Sequence, residues 1–310
     1  MPALPSPAVS PSVAWPTLPL QAWEDTAQTL HMWAQIVGKI RLARAPMINH
    51  WWQVPLYVTA RGLTTSPIPD GGRTFEITFD FIDHRLRIET SAGEVRHITL
   101  VPRTVADFYL ELMTTLGELD LATRIFTRPA EVANAIRFEE DRVHSSYDHE
   151  YAHRFWQVLV QATRVLTVFR SRFVGKASPV HFFWGGFDLA VTRFSGRPAP
   201  AHPGGVPNFP DWAAREAYSQ EVSSCGFWPG AAGVEPLFYA YSYPEPPGFD
   251  KAPIRPAAAF YHQDLREFVL PYEAVRTAPR PDDVLLEFVQ SAYESGAKLA
   301  NWDRAALERG

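Results

Sequence analysis

Two short stretches of the 310-residue chain carry residue types that could do chemistry. His149-Glu150-Tyr151-Ala152-His153 has the H-E-x-x-H spacing. On a helix this sets two imidazoles one turn apart, where they can share a zinc ion while the glutamate acts as base on the bound water. The second stretch is PVHFFWGGFDLAVTR, residues 179–193, in which Asp188 stands inside one of the most apolar strings of the chain. An ionised carboxylate there must be paired, protonated or beside a pocket, because burying it alone is costly. An internal ion pair fixing strand register would satisfy Asp188 equally well.

Further polar residues stand in aromatic settings. His50 precedes Trp51-Trp52, and Glu221 opens the string EVSSCGFWPG. Tyr239, Tyr241 and Tyr243 alternate along one strand face and lead to Glu245. With ten Trp, eleven Tyr and twenty Phe, the interior can build an aromatic-lined cavity holding a few polar groups, the usual makeup of a small-molecule site, or simply a large aromatic core. The expected catalytic residues are therefore His50, Asp188 and Glu221. The expected ligand contacts are Trp52, Arg61, Trp184, Arg193, Tyr239, Tyr241, Tyr243 and Glu245, and Gly185-Gly186 would let a ligand approach the backbone closely.

Helices and strands must position these groups. A helix is expected from Trp23 to Ala45, capped by Asp25 or Thr26 and ended by Pro46. Val54 to Arg61 alternates as a half-buried strand, and TFEITFDFIDHRLRIET reads as a hairpin turning at Asp83-His84. If these strands pair antiparallel, Arg61 meets a carboxylate of Glu76 or Asp80. Helices follow over Thr104–Leu116 and Ser145–Phe173, with a short strand at Thr123–Thr127 between them. Residues 179–193 are apolar on both faces and predict a central strand, with Asp188 sharing a face with Phe182, Trp184 and Ala190, opposite His181 and Arg193. Strands near 237–243 and 259–269 precede a last helix over 281–299, and the Pro- and Gly-rich run 196–210 is a long surface connection of the kind that often serves function.

Helical phase weighs against zinc. In the long helix Ala152, Phe155, Trp156, Leu159, Ala162, Leu166 and Phe169 form the buried stripe, and at about 100° per residue Glu150 falls opposite it, with His153 close to Glu150 and His149 at the border. Unless another element covers that face, HEYAH is a solvated run, and the same phase turns His144 and Asp148 inward as a pair of interest, with a helix cap as the alternative role for Asp148.

The composition, 46% hydrophobic and 20% charged, suits a globular chain with a large core. A net charge of −5 without a basic cluster argues against nucleic acid. Cys225 is the single cysteine, which excludes an internal disulfide and fits a reducing compartment. No Walker loop, G-x-G-x-x-G or G-x-S-x-G is present, so nucleotide cofactors lack support and none is expected.

The strings HMWAQIVGKIRLARAP, NHWWQVPLYVTARGLTTSPIP, FDFIDH, SPVHFFWGGFDLAVTRFSGR and EVSSCGFWPG together resemble an uncharacterised bacterial family, a domain of unknown function, from about Trp15 to the C-terminal helix. That resemblance implies no reaction. The sequence therefore predicts an α+β fold with mixed or antiparallel sheets packed against long helices. Residues 1–14 are expected to be a flexible arm, and 15–310 one domain or two packed halves, 15–140 and 141–310. The expected protein is cytoplasmic, free of membrane and nucleic acid, and acts on a small molecule by His/carboxylate acid–base chemistry. The alternatives are a non-catalytic small-ligand-binding protein and a zinc hydrolase using His149, Glu150 and His153.

Overall fold

The computed structural model describes residues 15–309, so the arm expected over 1–14 lies outside the described residues. Helix α1 (Leu20–Arg44) begins before Trp23, preceded by Pro19, and needs neither Asp25 nor Thr26 as a cap. Leu20 and Trp23 are already buried in its first turn, so apolar packing sets the start. Thr26 serves another helix instead, its hydroxyl accepting the Asp148 backbone N–H at 3.0 Å. α1 is buried around most of its circumference, in a core fed by residues from both halves of the chain.

An antiparallel sheet follows, formed by β1 (Tyr57–Val58), β2 (Gly62–Thr64), β3 (Ile68–Asp70), β4 (Arg73–Asp80), β5 (Arg85–Thr90) and β6 (Val95–Thr99). Its hairpin turns through Phe81–His84, where the expectation placed it. Arg61 finds its carboxylate, Asp80, at 2.7 Å, although β2 rather than residues 57–61 pairs with β4. α2 (Val105–Glu118) is capped by the Thr104 hydroxyl. The strand expected at Thr123–Thr127 does not form. Backbone groups flanking that stretch go to side chains rather than to a ladder: Arg73 takes the Leu119 carbonyl, and Gln35 takes both the N–H and the carbonyl of Ala130. α3 (His149–Ser171) is capped by Asp148, which accepts the Tyr151 N–H at 2.9 Å.

The second sheet comprises β7 (His181–Phe183), β8 (Asp188–Pro198), β9 (Gln220–Trp228), β10 (Leu237–Tyr243), β11 (Phe260–His262) and β12 (Glu267–Pro271), ordered β11-β12-β10-β9-β8-β7 and antiparallel throughout. α4 (Asp211–Ala217) precedes β9, and α5 (Tyr272–Arg276), α6 (Pro281–Leu299) and α7 (Arg304–Leu307) close the chain. The single central strand expected over 179–193 is instead a hairpin, β7 and β8, with its turn at Trp184–Phe187 and β7 at the edge of the sheet. Gly185-Gly186 and a left-handed Phe187 (φ 60°) reverse the chain within the apolar run. The reversal also changes the faces. Asp188 stands opposite Phe183, and His181 opposite Ala190, so His181 shares the Asp188 face while Phe182 and Arg193 lie on the other. The run 259–269 is likewise a hairpin, β11 and β12.

Strand register sorts this sheet into two faces. Leu189, Val191, Phe227, Phe238 and Leu270 face the core beneath α3 and α6. Asp188, Gly226, Ser224, Tyr239, Tyr241 and Glu267 point the other way. The two sheets meet edge to edge, where Leu56 and Phe182 exchange two backbone hydrogen bonds of 2.9 Å.

Candidate active site

Gly226 in β9 sits between Tyr239 of β10 and Ala190 of β8 in register. Lacking a side chain, it lets the Tyr239 ring lie across the sheet: a Cβ at Gly226 would stand 2.5 Å from the Tyr239 hydroxyl and would collide with the Leu189 carbonyl. The hydroxyl thereby reaches two strands over and donates a hydrogen bond to Asp188 Oδ2. A second carboxylate closes over the hairpin turn. Glu131 lies against Gly185-Gly186, so a Cβ on Gly186 would be 2.8 Å from Asp188 Oδ1 and 3.6 Å from Glu131 Oε2. A third, Glu267, follows on the same face, two residues from Val269, the cross-strand partner of Tyr239. Tyr241 stacks beside Tyr239 with centroids 6.2 Å apart and shares a 2.8 Å hydrogen bond with Tyr218.

Asp188 and Glu267 are half-buried, while Glu131 is exposed to solvent although its carboxyl lies close against the Gly185-Gly186 turn. Burial pushes Asp188 up to about 6, opposed by the hydrogen bond from Tyr239. Burial, followed by repulsion from Asp188, pushes Glu131 and Glu267 each up to about 7. Among the described residues no cation acts on any of the three. Tyr239 and Tyr241 are held well above the ordinary phenol range by burial, and Tyr218 rises to about 12, so all three hydroxyls keep their protons. His31 on α1 stacks on Phe187 and donates from Nε2 to the Gly185 carbonyl at 2.9 Å; burial lowers it to about 4 and keeps it neutral. Carboxyl groups that titrate near 6 and 7 can both give and take protons at neutral pH.

The Glu131 loop is held from three sides. Gln35 on α1 makes two 2.8 Å hydrogen bonds to Ala130, Glu131 N–H donates to the Pro207 carbonyl, and the Asn208 amide donates to the Val132 carbonyl. The long connection expected to carry function thus pins a carboxylate over the turn. Glu131 itself is left-handed, φ 61°, a strained conformation for this residue that its surroundings must enforce.

Of the residues expected in a site, Asp188, Tyr239 and Tyr241 come together here. Tyr243 continues the same face beside Tyr218 and His202, its hydroxyl donating to the Pro200 carbonyl. Trp184 leaves the turn toward α1, packs on Gly38 and donates to the Val54 carbonyl at 2.8 Å. Arg193 lies on the opposite face, buried under Phe169, Phe173 and Tyr293 and donating to the Phe169 carbonyl. Glu221, paired with Arg197 at 2.7 Å, and Glu245, which accepts from Tyr261 at 2.6 Å, line a separate groove of about 350 Å³ against the end of α6. Arg61 belongs to the first sheet with Asp80 and Asp83. His50 and Trp52 stand apart, around Lys176.

The HEYAH face is partly covered: Glu150 is exposed, as helical phase expects, and so is His149, while His153 is half-buried where the first sheet's hairpin docks. His149 Nε2 donates to the Leu100 carbonyl and His153 Nδ1 to that of Phe81, each at 3.0 Å, while His149 stacks on His84 with centroids 4.2 Å apart. Glu150 pairs with Arg154. The two imidazoles bind backbone carbonyls of the neighbouring sheet, and no cluster of three metal-ligating side chains occurs among the described residues.

Sequence reading missed Glu131, Glu267, His31 and Tyr218. Glu267 had a legible signal in its alternation with Val269 along a strand, and Gly226 had one as a lone glycine inside an apolar strand. Glu131 carries none, since its loop is placed by hydrogen bonds from distant residues.

A family profile matches residues 15–309: the chain belongs to the family of unknown function DUF5996. No curated protein and no solved structure matches it. No described helix is long and apolar enough to cross a membrane.

Proposed function

We propose that the protein is an enzyme acting on a small polar molecule by carboxylate acid–base chemistry, with Asp188 as base and Glu131 as acid. One observation carries this reading: two carboxyl groups converge on the Gly185-Gly186 turn with no cation beside them among the described residues, and both are pushed toward neutrality. Environments that separate the acidities of neighbouring carboxyls are how protein sites assign acid and base roles. Tyr239 orients Asp188 from one side, and the solvent-reached side of the acids is where a substrate hydroxyl or amine would enter. With acceptors, tyrosine rings and, among the described residues, no cation beside the acids, the site suits neutral or positively charged substrates and repels anions. His50 and Glu221, expected to share this chemistry, stand elsewhere, so the acid–base pair is carboxylate with carboxylate.

A non-catalytic ligand-binding role is the second reading, favoured by the stacked Tyr239 and Tyr241 faces beside unpaired acids, which hold a cation without any reaction. A panel of small amines, amino alcohols and sugars, screened for both thermal shift and conversion by mass spectrometry, separates the two. The enzyme reading expects conversion that falls about a hundredfold or more in Asp188→Asn and Glu131→Gln, with ligand affinity changed far less. Binding without conversion supports the second reading, and anions stabilising the protein better than amines would contradict both.

A further inference from the structure

The chain holds four lysines, Lys39, Lys176, Lys251 and Lys298. Lys176 is set apart by its surroundings. Its Nζ lies 2.6 Å from Nε2 of His50 and 3.2 Å from Gln220 Oε1, above the rings of Phe194 and Trp52 at 4.8 and 5.6 Å. His50 is buried, 6% exposed, and its Nδ1 donates to the Ala217 carbonyl at 3.0 Å. That bond fixes the tautomer, so Nε2 presents a lone pair to the lysine. The backbone holding the imidazole is strained: His50 and Trp51 are consecutive left-handed residues, φ 58° and 63°, a conformation that costs free energy in bulky side chains. A tilted ring contact of Trp51 with Trp212, centroids 5.0 Å apart, and a hydrogen bond from Ile48 N–H to Gln53 hold the loop in place.

We propose that Lys176 and His50 form a second reactive site, in which the Lys176 amine condenses with a small aldehyde or ketone and His50 carries its protons. Nζ attacks the carbonyl carbon as the π pair moves to oxygen. One Nζ proton passes through His50 Nε2 to that oxygen, giving the carbinolamine. The second follows the same route to the hydroxyl as the C–O bond breaks, so one water leaves and a C=N bond remains. Lysines that act this way are activated by desolvation and an adjacent base; burial holds Lys176 below its ordinary value, and among the described residues no carboxylate is paired to it. Trp52 offers an aromatic flank for the carbonyl compound.

Benzaldehyde with sodium cyanoborohydride, applied to the full chain and followed by peptide mapping, reads the rate at each lysine. The expected result is trapping at Lys176 about tenfold or more faster than at the exposed Lys251 and Lys298. In His50→Asn the shorter amide stands where Nδ1 stands and tolerates the left-handed backbone, but it lacks a proton acceptor at the Nε2 position. Trapping at Lys176 should then fall to the rate of the exposed lysines while the circular dichroism spectrum is kept. Equal rates at all lysines of the unaltered protein would overturn the proposal, as would unchanged trapping at Lys176 in a folded His50→Asn protein.

Discussion

Asp188→Asn should stabilise the protein at pH 8. The asparagine carbonyl can still accept the Tyr239 hydroxyl, so the substitution removes a charge while keeping the hydrogen bond. Asp188 rises from 3.8 to about 6 in the folded chain, chiefly through burial, and its charge raises both Glu131 and Glu267. A carboxyl group whose acidity is weakened by folding binds more protons folded than unfolded. Stability therefore falls as pH rises from about 4 through the folded values of about 6 to 7. At 1.36 kcal/mol per pH unit the Asp188 shift corresponds to ~3 kcal/mol, and allowing for the solvent contact of this half-buried group leaves roughly 1–3 kcal/mol. In a chain of this size that is a rise in Tm of roughly 2–6 °C at pH 8. The rise should shrink as pH falls and vanish below about pH 3, where the unaltered carboxyl, with an ordinary value of 3.8, is protonated in both states. Differential scanning calorimetry at half-unit pH steps gives the comparison. A variant less stable than the parent at pH 8, or a Tm difference independent of pH, would refute an uncompensated carboxylate cluster.

Gly226→Ala brings a methyl group onto the Leu189 carbonyl and the Tyr239 ring, so it should cost about 1–3 kcal/mol in urea unfolding and abolish conversion in the substrate panel together with the Tyr239–Asp188 contact. His149→Ala with His153→Ala removes two hydrogen bonds to backbone carbonyls, so urea unfolding should show a loss of roughly 1–3 kcal/mol while metal content by plasma mass spectrometry does not change. Gln35→Ala frees both polar groups of Ala130, and hydrogen exchange at residues 130–132 should then accelerate while α1 exchanges as before.

Local periodicity and capping chemistry made much of the fold legible. Thr104 begins α2, Pro281 opens α6, and the Phe75–Phe79 alternation lies inward as written, whereas α3 starts at His149 behind its Asp148 cap rather than at Ser145. The 179–193 string misled because apolar residues on both faces suit a buried hairpin as well as a central strand, and Gly185-Gly186 was read as a place for close approach rather than as a turn. That one error moved His181 to the wrong face. In the HEYAH helix, phase set Glu150 outward and His149 at the border, and both are exposed; it could not show that His149 and His153 bond the carbonyls of Leu100 and Phe81, which leave no trace in the helix itself. The site was half legible: an acid in an apolar string and a tyrosine strand could be named, but Glu131 reaches Asp188 only through tertiary bonds from Gln35, Pro207 and Asn208.

Side-chain carboxyl ¹³C NMR of the full chain tests, without knowledge of the substrate, the proposed proton exchange between Asp188 and Glu131 near neutral pH. With signals assigned through Asp188→Asn and Glu131→Gln, the expected titration midpoints are near 6 for Asp188 and near 7 for Glu131, with the Glu131 midpoint falling when Asp188 is neutralised. Midpoints for both groups in the ordinary carboxylate range, unmoved by each other's substitution, would contradict it.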